Sequence, residues 1–504
     1  MKIEAIYKEI SEAKNGSLIP LLKNGSSIES KYNPERDAEN LLALTIKTDE
    51  DENKDFSDEA FFVVLGTGSG IFIQKLADKY TNAKIIALEA TAEDLQLIKS
   101  IPAIKELEKS ERIIFSTIEN LHTTIINNYI PALHGNLRVI EQKAWCNVNS
   151  QLLDFIKKQI ELAVQDISAD FSVQSHFGKI WQFNILANLK HAENRINKIN
   201  PETDKTAVIV AAGPSLDKKI EALKSRRSEL YIIATDTAFS VLSKKGINSD
   251  AVVSIDGQSV SFNHFFTRSN TAAKDTHFLF DLCANSSAVN HIISKGFNVS
   301  FFVTGHPLSL YADSFSDRSF LKLYSGAGTV TITAIDFAVK SGFKNIEVYG
   351  ADFSYSNGKA YTKGTYLDAL YSKFQSRIKN SQTDFDRLMF RTELEKLSEK
   401  RTSTQTLLRY KESLLEYLKN NGLSFTDKDE VYFIKNNSKS KLLSNTKAFN
   451  YELFLASIKK ENPQSIKQIF LPYIAWLRKN KKYKNYSFNE FLKLAYSSFV
   501  SYNK

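Results

Sequence analysis

The architecture of this protein follows from one segment, Val208-Ile209-Val210-Ala211-Ala212-Gly213-Pro214-Ser215-Leu216-Asp217. Its first five residues are apolar, which is typical of a strand buried on both faces of a parallel sheet. Gly213 lacks a Cβ, so the backbone can approach a ligand closely, and Pro214 fixes the turn. Ser215 can cap the helix that follows, where unpaired N–H groups favour an anion. The segment therefore predicts a strand, a turn and a helix, and the turn is either a phosphate site or an ordinary capped turn.

The same pattern of strand, loop and helix repeats over residues 200–365. Strands are predicted at Thr206–Ala211, Leu230–Ala234, Ala251–Ile255, His277–Asp281, Val299–Val303 and Ile346–Tyr349. Helices are predicted between several of them, at Asp217–Leu223, Thr237–Lys245 and Val330–Ser341. This alternation predicts an α/β fold with a doubly wound, Rossmann-like sheet. Ligands of such folds bind where loops leave the carboxyl ends of the strands.

Polar residues follow the second and third strands of this series. Asp236 and Thr237 come after the second strand, and Asp256 comes after the third. A carboxylate at such a place can accept hydrogen bonds from ribose hydroxyls, hold Mg²⁺ or act as a general base, and it can equally cap a helix. Because three consecutive strands, including the one before Gly213, deliver polar groups to one sheet edge, the set favours a ligand site.

A second glycine-rich helix start is expected at the same edge. Ser325–Thr329 contains Gly326, Gly328 and Thr329 and leads into the helix predicted from Val330. Such a start favours an anion, while Thr329 can also be a simple cap.

Further candidates follow the last two strands. Asp352 has the placement of a catalytic or ribose-binding carboxylate, and Tyr355 and Tyr361 can bind phosphate or a sugar, or pack. His306 lies beside a glycine after the fifth strand and is either a general base or a packed histidine. The predicted catalytic candidates are therefore Asp352, His306 and Asp256.

Another glycine-rich loop lies near the start of the chain. Gly66-Thr67-Gly68-Ser69-Gly70 follows the predicted strand Phe61–Leu65, and Glu89 follows the next strand, Lys84–Leu88. This is the spacing of a dinucleotide- or S-adenosylmethionine-binding unit, although the third glycine comes early for that motif. The loop is either a methyltransferase site or part of a degenerate Rossmann-like domain with a structural or substrate-presenting role.

The length of 504 residues predicts several domains. We expect an N-terminal Rossmann-like α/β domain at 1–175, a central α/β domain at 176–365 and a C-terminal helical domain at 366–504. A helix at Leu152–Ile196 is expected to bridge the first two. Helical spacing at Leu388–Leu418 and Ala448–Lys504 supports the third, where Glu430–Ile434 is the one convincing strand.

The composition favours an intracellular protein. The formal net charge of +9, from 66 basic and 57 acidic residues, suits an anionic ligand such as a nucleotide sugar, and a general lysine bias explains it equally well. Only Arg478–Lys484 resembles a basic stripe with aromatics, and it is a solvated helix end or a docking site for an acidic partner. Cys146 and Cys283 lack metal-ligand spacing, so neither a disulfide framework nor zinc is predicted. No signal peptide or membrane-spanning run is visible, so we expect a cytoplasmic location.

As a set, the central motifs resemble those of the motility-associated factor (Maf) family of flagellin glycosyltransferases. In the family's order they are Ala212-Gly213-Pro214-Ser215-Leu216-Asp217, Asp236-Thr237-Ala238, Gly246-Ile247-Asn248-Ser249-Asp250, Ser254-Ile255-Asp256, Ser325–Thr329 and Gly350-Ala351-Asp352-Phe353-Ser354-Tyr355. The segment Ser30-Lys31-Tyr32-Asn33-Pro34-Glu35-Arg36-Asp37-Ala38 is also similar to that family's first domain. The likeness covers about residues 20–365.

This resemblance implies transfer of a nonulosonic acid, of the pseudaminic or legionaminic type, from its CMP donor to Ser or Thr of flagellin, for flagellar assembly and motility. The central fold is also similar to bacterial sialyltransferases, whose nucleotide site carries a Gly-Pro-Ser-Leu turn. By this carry-over Gly213, Pro214 and Ser215 hold the CMP phosphate. The donor pocket is then lined by Asp236, Thr237, Asp256, Gly326, Gly328, Thr329, Asp352 and Tyr361. The implied partners are flagellin and the nucleotide sugar, without nucleic acid, membrane insertion, bound metal or a tightly bound cofactor.

The central domain also resembles MptE-like archaeal 6-hydroxymethylpterin diphosphokinases, which share the Gly-Pro-Ser-Leu turn. Those enzymes carry a more acidic Asp-Leu-Asp-Gly type of segment, suited to Mg²⁺-ATP, where this chain has Ser254-Ile255-Asp256-Gly257. The chain is thus one carboxylate short. Two alternatives to the glycosyltransferase stay open: a diphosphokinase-like nucleotide-dependent enzyme, and a non-enzymatic flagellin-binding accessory factor.

Overall fold

The computed structural model describes residues 3–51, 59–193, 195, 199–265, 274–315, 320–326, 328–373, 375, 380–439, 448–483 and 486–502. The chain forms two compact units. The first unit consists of Met1–Lys179 and Phe470–Lys504, and the second unit consists of Ile180–Ile469. Within the described ranges, no helix combines the length and the hydropathy that crossing a membrane requires.

The first unit is built on a small parallel sheet. Its elements, up to a long helix that continues into the second unit, are β1 (Tyr7–Glu12), β2 (Leu18–Leu22), α1 (Pro34–Asp51), β3 (Phe61–Leu65), α2 (Ile71–Lys79), β4 (Lys84–Glu89), α3 (Ala92–Ile98), α4 (Pro102–Leu107), β5 (Ile113–Thr117), α5 (Leu121–Asn128), α6 (Pro131–His134), β6 (Leu137–Glu141), α7 (Lys143–Val148) and α8 (Leu153–Ala192). The parallel strands lie in the order β5-β4-β3-β6, and β1 and β2 form a separate antiparallel hairpin. Every residue of β3 is buried, as expected for a strand covered on both faces.

The second unit carries the strand and helix alternation that the sequence predicts. Its elements are β7 (Thr206–Val210), α9 (Ile220–Ser225), β8 (Leu230–Thr235), α10 (Asp236–Lys244), β9 (Ala251–Ser254), α11 (Phe262–Phe265), β10 (His277–Asp281), α12 (Ser286–Ser294), β11 (Asn298–Val303), α13 (Pro307–Phe315), β12 (Leu321–Lys322), α14 (Val330–Ser341) and β13 (Asn345–Tyr349). The six predicted strands are confirmed to within one residue at each end, and the helix predicted at Val330–Ser341 has those bounds.

These strands form most of a nine-stranded sheet in the order β12-β11-β10-β9-β8-β7-β13-β18-β17, whose last two members are given below. From β7 the chain steps outward strand by strand to β12, and then returns to place β13 on the other side of β7. All these neighbours are parallel. The direction of winding reverses between β7 and β13, so the loops after these two strands flank the place where ligands of α/β sheets bind.

Helices cover both faces of the large sheet. Phe278 and Phe280 on β10 contact Phe239 of α10 and Phe265 of α11, with ring centroids 5.3 and 5.4 Å apart. Leu279, between them, belongs to the core cluster that contains the buried residues of α14. Because successive side chains of a strand point to opposite faces, α14 lies on the face away from α10 and α11. The α/β class predicted from the sequence is confirmed.

The remainder of the chain departs from the prediction. Its elements are β14 (Tyr355–Ser356), α15 (Tyr366–Ser372), α16 (Ser381–Met389), β15 (Glu395–Ser398), β16 (Arg401–Ser403), α17 (Gln405–Asn420), β17 (Ser424–Lys428), β18 (Val431–Lys435), α18 (Tyr451–Ile458), α19 (Pro463–Ile469), α20 (Leu471–Lys479) and α21 (Phe488–Tyr502). The helix predicted at Leu388–Leu418 begins only at Gln405. Strands β15, β16 and β17 are missing from the prediction because they are polar and largely exposed, which leaves no apolar run to mark them.

The segment predicted as one C-terminal helical domain, 366–504, is divided between the two units. The antiparallel strands β17 and β18 extend the large sheet beyond β13. Helices α20 and α21 belong to the first unit, where the Arg478 guanidinium donates to the carbonyls of Ala132 and Leu133 over 2.6 and 2.9 Å. Arg478 thus has a structural role; Lys484, at the end of the predicted basic run, lies outside the described residues.

Candidate functional site

The turn after β7 packs closely against the loop after β13. The Gly213 N–H donates to the Gly350 carbonyl over 2.8 Å. A Cβ on Gly213 would overlap Oδ2 of Asp352. Gly350 has a φ of +70°, and a Cβ there would overlap the Ala211 carbonyl oxygen. Both glycines are therefore required by the close approach of the two loops.

Asp352 caps this turn. Ser215 donates its N–H toward both carboxylate oxygens of Asp352, over 3.2 and 3.3 Å, and its hydroxyl to Oδ2 over 2.8 Å. The carboxylate sits at the start of the 3₁₀ helix Pro214–Lys219, where the helix dipole favours negative charge. Burial raises the pKa of Asp352, and the bonds from Ser215 oppose that rise.

These contacts bear on two predictions. Asp352, predicted as a base, accepts from Ser215 through both oxygens and so holds the turn in place. The N–H groups predicted to hold a phosphate are also engaged, because those of Gly213 and Ser215 bind the loop after β13 and that of Leu216 binds the Gly213 carbonyl. Pro214 has no N–H. The turn therefore shapes the site and offers no free backbone donor between 213 and 216.

Thr362 ties the next segment to the turn. Its N–H donates to the Ala212 carbonyl over 2.9 Å, and its hydroxyl donates to Asp217. These bonds fix the neighbouring Tyr361, which keeps 38% of its surface exposed.

Tyrosines form a wall beside Tyr361. Burial raises the pKa of Tyr361 to about 12, and the nearby Tyr355, Tyr366, Asp236 and Tyr371 add to the effect. A phenol with such a pKa stays protonated at neutral pH, so its hydroxyl is a hydrogen-bond donor. We call Tyr355, Tyr361, Tyr366 and Tyr371 the tyrosine wall.

Asp236 is a buried anchor at the end of β8. Its Oδ1 accepts from the N–H and hydroxyl of Thr237, over 2.7 and 3.2 Å, and its Oδ2 accepts from the Ser254 hydroxyl over 2.8 Å. The cap of helix α10 is Thr235, whose hydroxyl accepts from the Ala238 N–H. Asp236 thus joins the ends of β8 and β9. Although it is buried, its charge contributes to the raised pKa of Asp256 and of Tyr361.

Asp256 is more available than the other predicted carboxylates. Its Oδ1 accepts from the Gln258 N–H over 2.9 Å, and the described residues supply no other side-chain hydrogen bond to it. Burial raises its pKa, the charge of Asp236 raises it further, and the proximity of His264 lowers it. Asp256 is therefore the predicted carboxylate best placed to meet a ligand.

His264 and Tyr366 are not among the predicted site residues. The edge of the His264 ring meets the ring of Tyr366, with centroids 4.7 Å apart. His264 is 8% exposed, and among the described residues its Nδ1 has no hydrogen-bond partner. Neither residue has a glycine or a carboxylate beside it in the sequence, so no motif marks either one. The sequence shows only that His264 follows the same strand as Asp256.

His306 is placed differently from its predicted role. Its Nδ1 accepts from the Leu308 N–H over 3.2 Å, which puts the ring proton on Nε2. Burial lowers the pKa of His306 to about 3, so the ring is a weak base and a hydrogen-bond donor. Its Nε2 has no partner among the described residues, and its ring meets that of Trp181 edge-on at 5.8 Å.

The glycine loop before α14 is closed by hydrogen bonds within the loop. Gly326 and Gly328 have φ of +56° and +89°, and the N–H groups of Gly328 and Thr329 both donate to the Ser325 carbonyl. The Thr329 side chain makes no cap bond, and Ala327 lies outside the described residues. No hydrogen bond joins the described part of this loop to Asp236, Asp256 or the tyrosine wall.

Residues 183–358 match the family "6-hydroxymethylpterin diphosphokinase MptE-like". A protein of Treponema pallidum (strain Nichols), described only as uncharacterized, is 38% identical over 167 residues, which are 30% of this chain and 79% of that protein. A second protein of that organism, described in the same way, is 31% identical over 204 residues, which are 40% of this chain and 67% of the relative.

The chain belongs to the family of these treponemal proteins. Its central domain is MptE-like. Its fold is that of the Maf glycosyltransferase from Magnetospirillum magneticum AMB-1, with a TM-score of 0.52 and 15% identity over 99% of this chain and 86% of the other. The resemblance stated from the sequence is confirmed in the central domain and in the fold. The MptE-like match ends at 358, so it covers Asp236, Asp256 and Asp352 and stops before Tyr361.

Outside the MptE-like domain, the glycine loop of the first unit is filled by the chain's own carboxylates. Glu89 accepts from the N–H groups of Thr67 and Gly68 over 2.8 and 3.2 Å, and from the Trp145 indole over 2.8 Å. Glu29 accepts from the N–H and hydroxyl of Ser69 over 2.9 and 2.8 Å. These hydrogen bonds favour the degenerate Rossmann-like interpretation over a methyltransferase site. The reason is that Glu89 already accepts from the N–H groups of the glycine loop and from Trp145, which leaves it less able to bind ribose hydroxyls.

Proposed function

We propose that this protein is a glycosyltransferase that moves a nonulosonic acid from a CMP-sugar to Ser or Thr of flagellin in the cytoplasm. The observation that carries the proposal is the fold shared with the Maf glycosyltransferase over nearly the whole chain, including both units. A site of carboxylates, imidazoles and tyrosines at the carboxyl edge of the sheet supports it, since this is where α/β folds bind nucleotides.

The donor would lie between the turn at Gly213 and the tyrosine wall. The ring of Tyr361 offers an exposed face for the nucleobase or sugar. The hydroxyl of Tyr361 and the Nε2–H of His306 are donors suited to phosphate or to the sugar carboxylate. Asp256 is suited to accept from ribose or sugar hydroxyls. In this arrangement Gly213, Pro214 and Ser215 give the pocket its shape. The hydrogen bonds to the phosphate and the sugar carboxylate come from side chains.

The chemistry asks little of the protein beyond positioning and proton transfer. The acceptor oxygen attacks the anomeric carbon, and the bond between that carbon and the phosphate oxygen breaks. The electron pair of the broken bond leaves with CMP, and the acceptor proton passes to a base. Fixed donors around the phosphate stabilise the charge that develops on it.

A diphosphokinase is the second candidate, because the family that matches the central domain is named for one. Both oxygens of Asp236 are engaged by Thr237 and Ser254. That leaves Asp256 as the nearby carboxylate free to meet a metal-bound triphosphate, which makes the site a poor match to Mg²⁺-ATP.

The test separates the candidates by ligand and by product. Thermal-shift titrations with CMP, ATP plus Mg²⁺ and S-adenosylmethionine should show stabilisation by CMP, and incubation with CMP-pseudaminic acid and unmodified flagellin should add the sugar mass to flagellin. Pterin-dependent release of AMP from ATP would establish the kinase instead. Flagellin of unchanged mass from cells that lack this protein would overturn the proposal.

A further inference from the structure

A groove of about 750 Å³ runs along strand β6 in the first unit. Residues 136–141 line it as an unbroken run, and so do Leu41 and Leu44 of α1 and Ile160 and Val164 of α8. Successive side chains of a strand point to opposite faces, so an unbroken run can line one groove only along the edge of the strand. The groove therefore follows the edge of β6.

This edge of β6 is open. The strand pairs with β3 on its other side, and no other strand of the described chain pairs with it. The Gln142 N–H donates to the Leu65 carbonyl of β3 over 3.2 Å, so the alternation of a parallel strand turns the N–H and C=O groups of Val139 and Glu141 away from β3. Among the described residues these four groups have no hydrogen-bond partner, and Val139 is partly buried while Glu141 is exposed. Such groups are the ones with which an added strand forms main-chain hydrogen bonds.

The walls of the groove select what can bind there. Both α1 and α8 line the groove beside the open edge. In a second copy of this chain the same helices flank β6, so they would collide with α1 and α8 before the two strands reached the strand spacing of about 4.8 Å. A single extended segment of another protein has no such flanks, and beside the five residues of β6 it can form about 17 Å of ladder. The geometry therefore favours an extended segment over a second copy.

The apolar walls indicate the chemistry of that segment. Leu44 is 53% exposed and lines the groove together with Leu41, Ile160 and Val164. Every second side chain of an added strand points to the same face. An extended segment with apolar side chains at alternate positions therefore buries apolar surface on both partners when it binds.

The size of the groove suits a partner that binds and then leaves. A stable complex buries about 800 Å² on each partner, and a ladder along the five residues of β6 covers less than that. A stable dimer of this chain through this edge is therefore not expected. The acceptor of a transferase, in contrast, must dissociate after each turnover, so a small contact area fits it.

We propose that the first unit binds the acceptor protein in this groove, by adding an extended segment of the acceptor to the open edge of β6. This inference rests on the proposed function, in which flagellin is the acceptor. The N–H and C=O groups of Val139 and Glu141 form main-chain hydrogen bonds with the segment, and the walls at Leu44 and Val164 hold its alternate side chains. The groove thus recognises the acceptor, and recognition of the donor stays in the second unit.

Calorimetric titration of monomeric flagellin into the full chain, without donor, measures this binding directly. Val139→Pro removes an N–H that faces away from β3 and places a ring at the open edge, where a strand tolerates proline. The dissociation constant for flagellin should rise about tenfold or more, and so should the KM for flagellin in the transfer assay. The kcat at saturating flagellin and the affinity for CMP should keep their wild-type values, because the donor site belongs to the second unit.

Leu44→Asp covers the case in which Val139→Pro does not fold. It places a charge on the wall of the groove at an exposed position of α1, so the dissociation constant for flagellin should again rise. The matched control is Val173→Asp, which changes an apolar residue of α8 that is 47% exposed and does not line the groove. This variant should bind flagellin as the wild type does.

The outcomes separate the groove from the proposed function. Wild-type affinity for flagellin in both groove variants overturns the docking role, and so does a wild-type protein that does not bind flagellin. A wild-type dimer in sedimentation that Val139→Pro dissociates also overturns it, because the edge then serves a second copy. A wild-type protein that binds flagellin through the groove but transfers no sugar overturns the proposed function and leaves the docking site in place.

Discussion

Ser215 and Asp352, 137 residues apart in sequence, bind each other through a backbone N–H and a hydroxyl at the point where the winding of the large sheet reverses. The bond joins the loop after β7 to the loop after β13, and Gly213 and Gly350 in these loops leave no room for a Cβ. A carboxylate that resembles a catalytic residue in sequence therefore serves to hold the binding edge in shape.

Replacing Asp352 tests this structural role. Asp352→Ala leaves the Ser215 N–H and hydroxyl without their acceptor, so the free energy of unfolding of the second unit should fall by about 1–3 kcal/mol. Urea denaturation measures the loss, and CMP affinity should weaken with it. Asp204→Asn, an exposed carboxylate of the same unit, is the control and should change neither value. An Asp352→Ala protein of wild-type stability that lacks only turnover would restore Asp352 as a base.

The close packing around Gly213 leads to a second prediction. Gly213→Ala places a Cβ against the Asp352 carboxylate and 2.5 Å from the Gly350 carbonyl oxygen, so the two loops must separate. We expect a loss of about 1–3 kcal/mol in stability and a loss of CMP binding. Gly305→Ala is the matched control, since a Cβ there meets nothing within 4 Å. Differential scanning fluorimetry with and without CMP compares the two, and equal melting temperatures would contradict the packing described.

The exposed ring of Tyr361 predicts a stacking contribution. Tyr361→Ala should weaken CMP binding by about 1–3 kcal/mol, whereas Tyr361→Phe keeps the ring and should lose less. Calorimetric titration of CMP into each variant measures the difference. Tyr32→Ala removes an exposed tyrosine of the first unit and should bind CMP as the wild type does. Equal affinities for the Ala and Phe variants would place the nucleotide elsewhere.

The sequence was sufficient for β3, β4 and the six strands predicted in the second unit, because most of their residues are apolar, as in Phe61–Leu65 and Ala251–Ser254. It did not predict the other parallel strands, β5, β6 and β12. It was insufficient for β15, β16 and β17, which are polar and gain stability from pairing rather than from burial of an apolar face. Strand pairing over long sequence separation is a tertiary effect that local periodicity does not record.

For the site, the sequence predicts candidate loops but not the hydrogen bonds between them. Asp352 and the N–H groups of the Gly213 turn satisfy one another, and no local pattern reveals a bond between residues so far apart. His264 and Tyr366 escaped notice for a similar reason: their rings meet edge-on across about 100 residues of sequence, which only the folded chain shows.

The first unit should lose stability as the pH rises. Glu89 is buried and Glu29 is partly buried beside the glycine loop, and the loss of solvation raises the pKa of each from 4.5 to about 7. The folded state therefore binds more protons than the unfolded state between these values. The stability from the protonated forms is fully present below the unfolded pKa and is lost as the pH rises through the folded pKa, on the order of 3 kcal/mol for each carboxyl.

Hydrogen exchange of the β3 and β4 amides measures this effect within the first unit. Protection factors should fall between about pH 5 and pH 8 in the wild type. Glu29→Gln keeps the shape of the side chain and removes one titrating group, so its protection should vary less with pH. Glu35→Gln, an exposed carboxyl on α1, should follow the wild-type curve. Protection that rises with pH in the wild type would mean that the two carboxyls are ionised in the folded state, held by the N–H groups of the glycine loop as an anion would be.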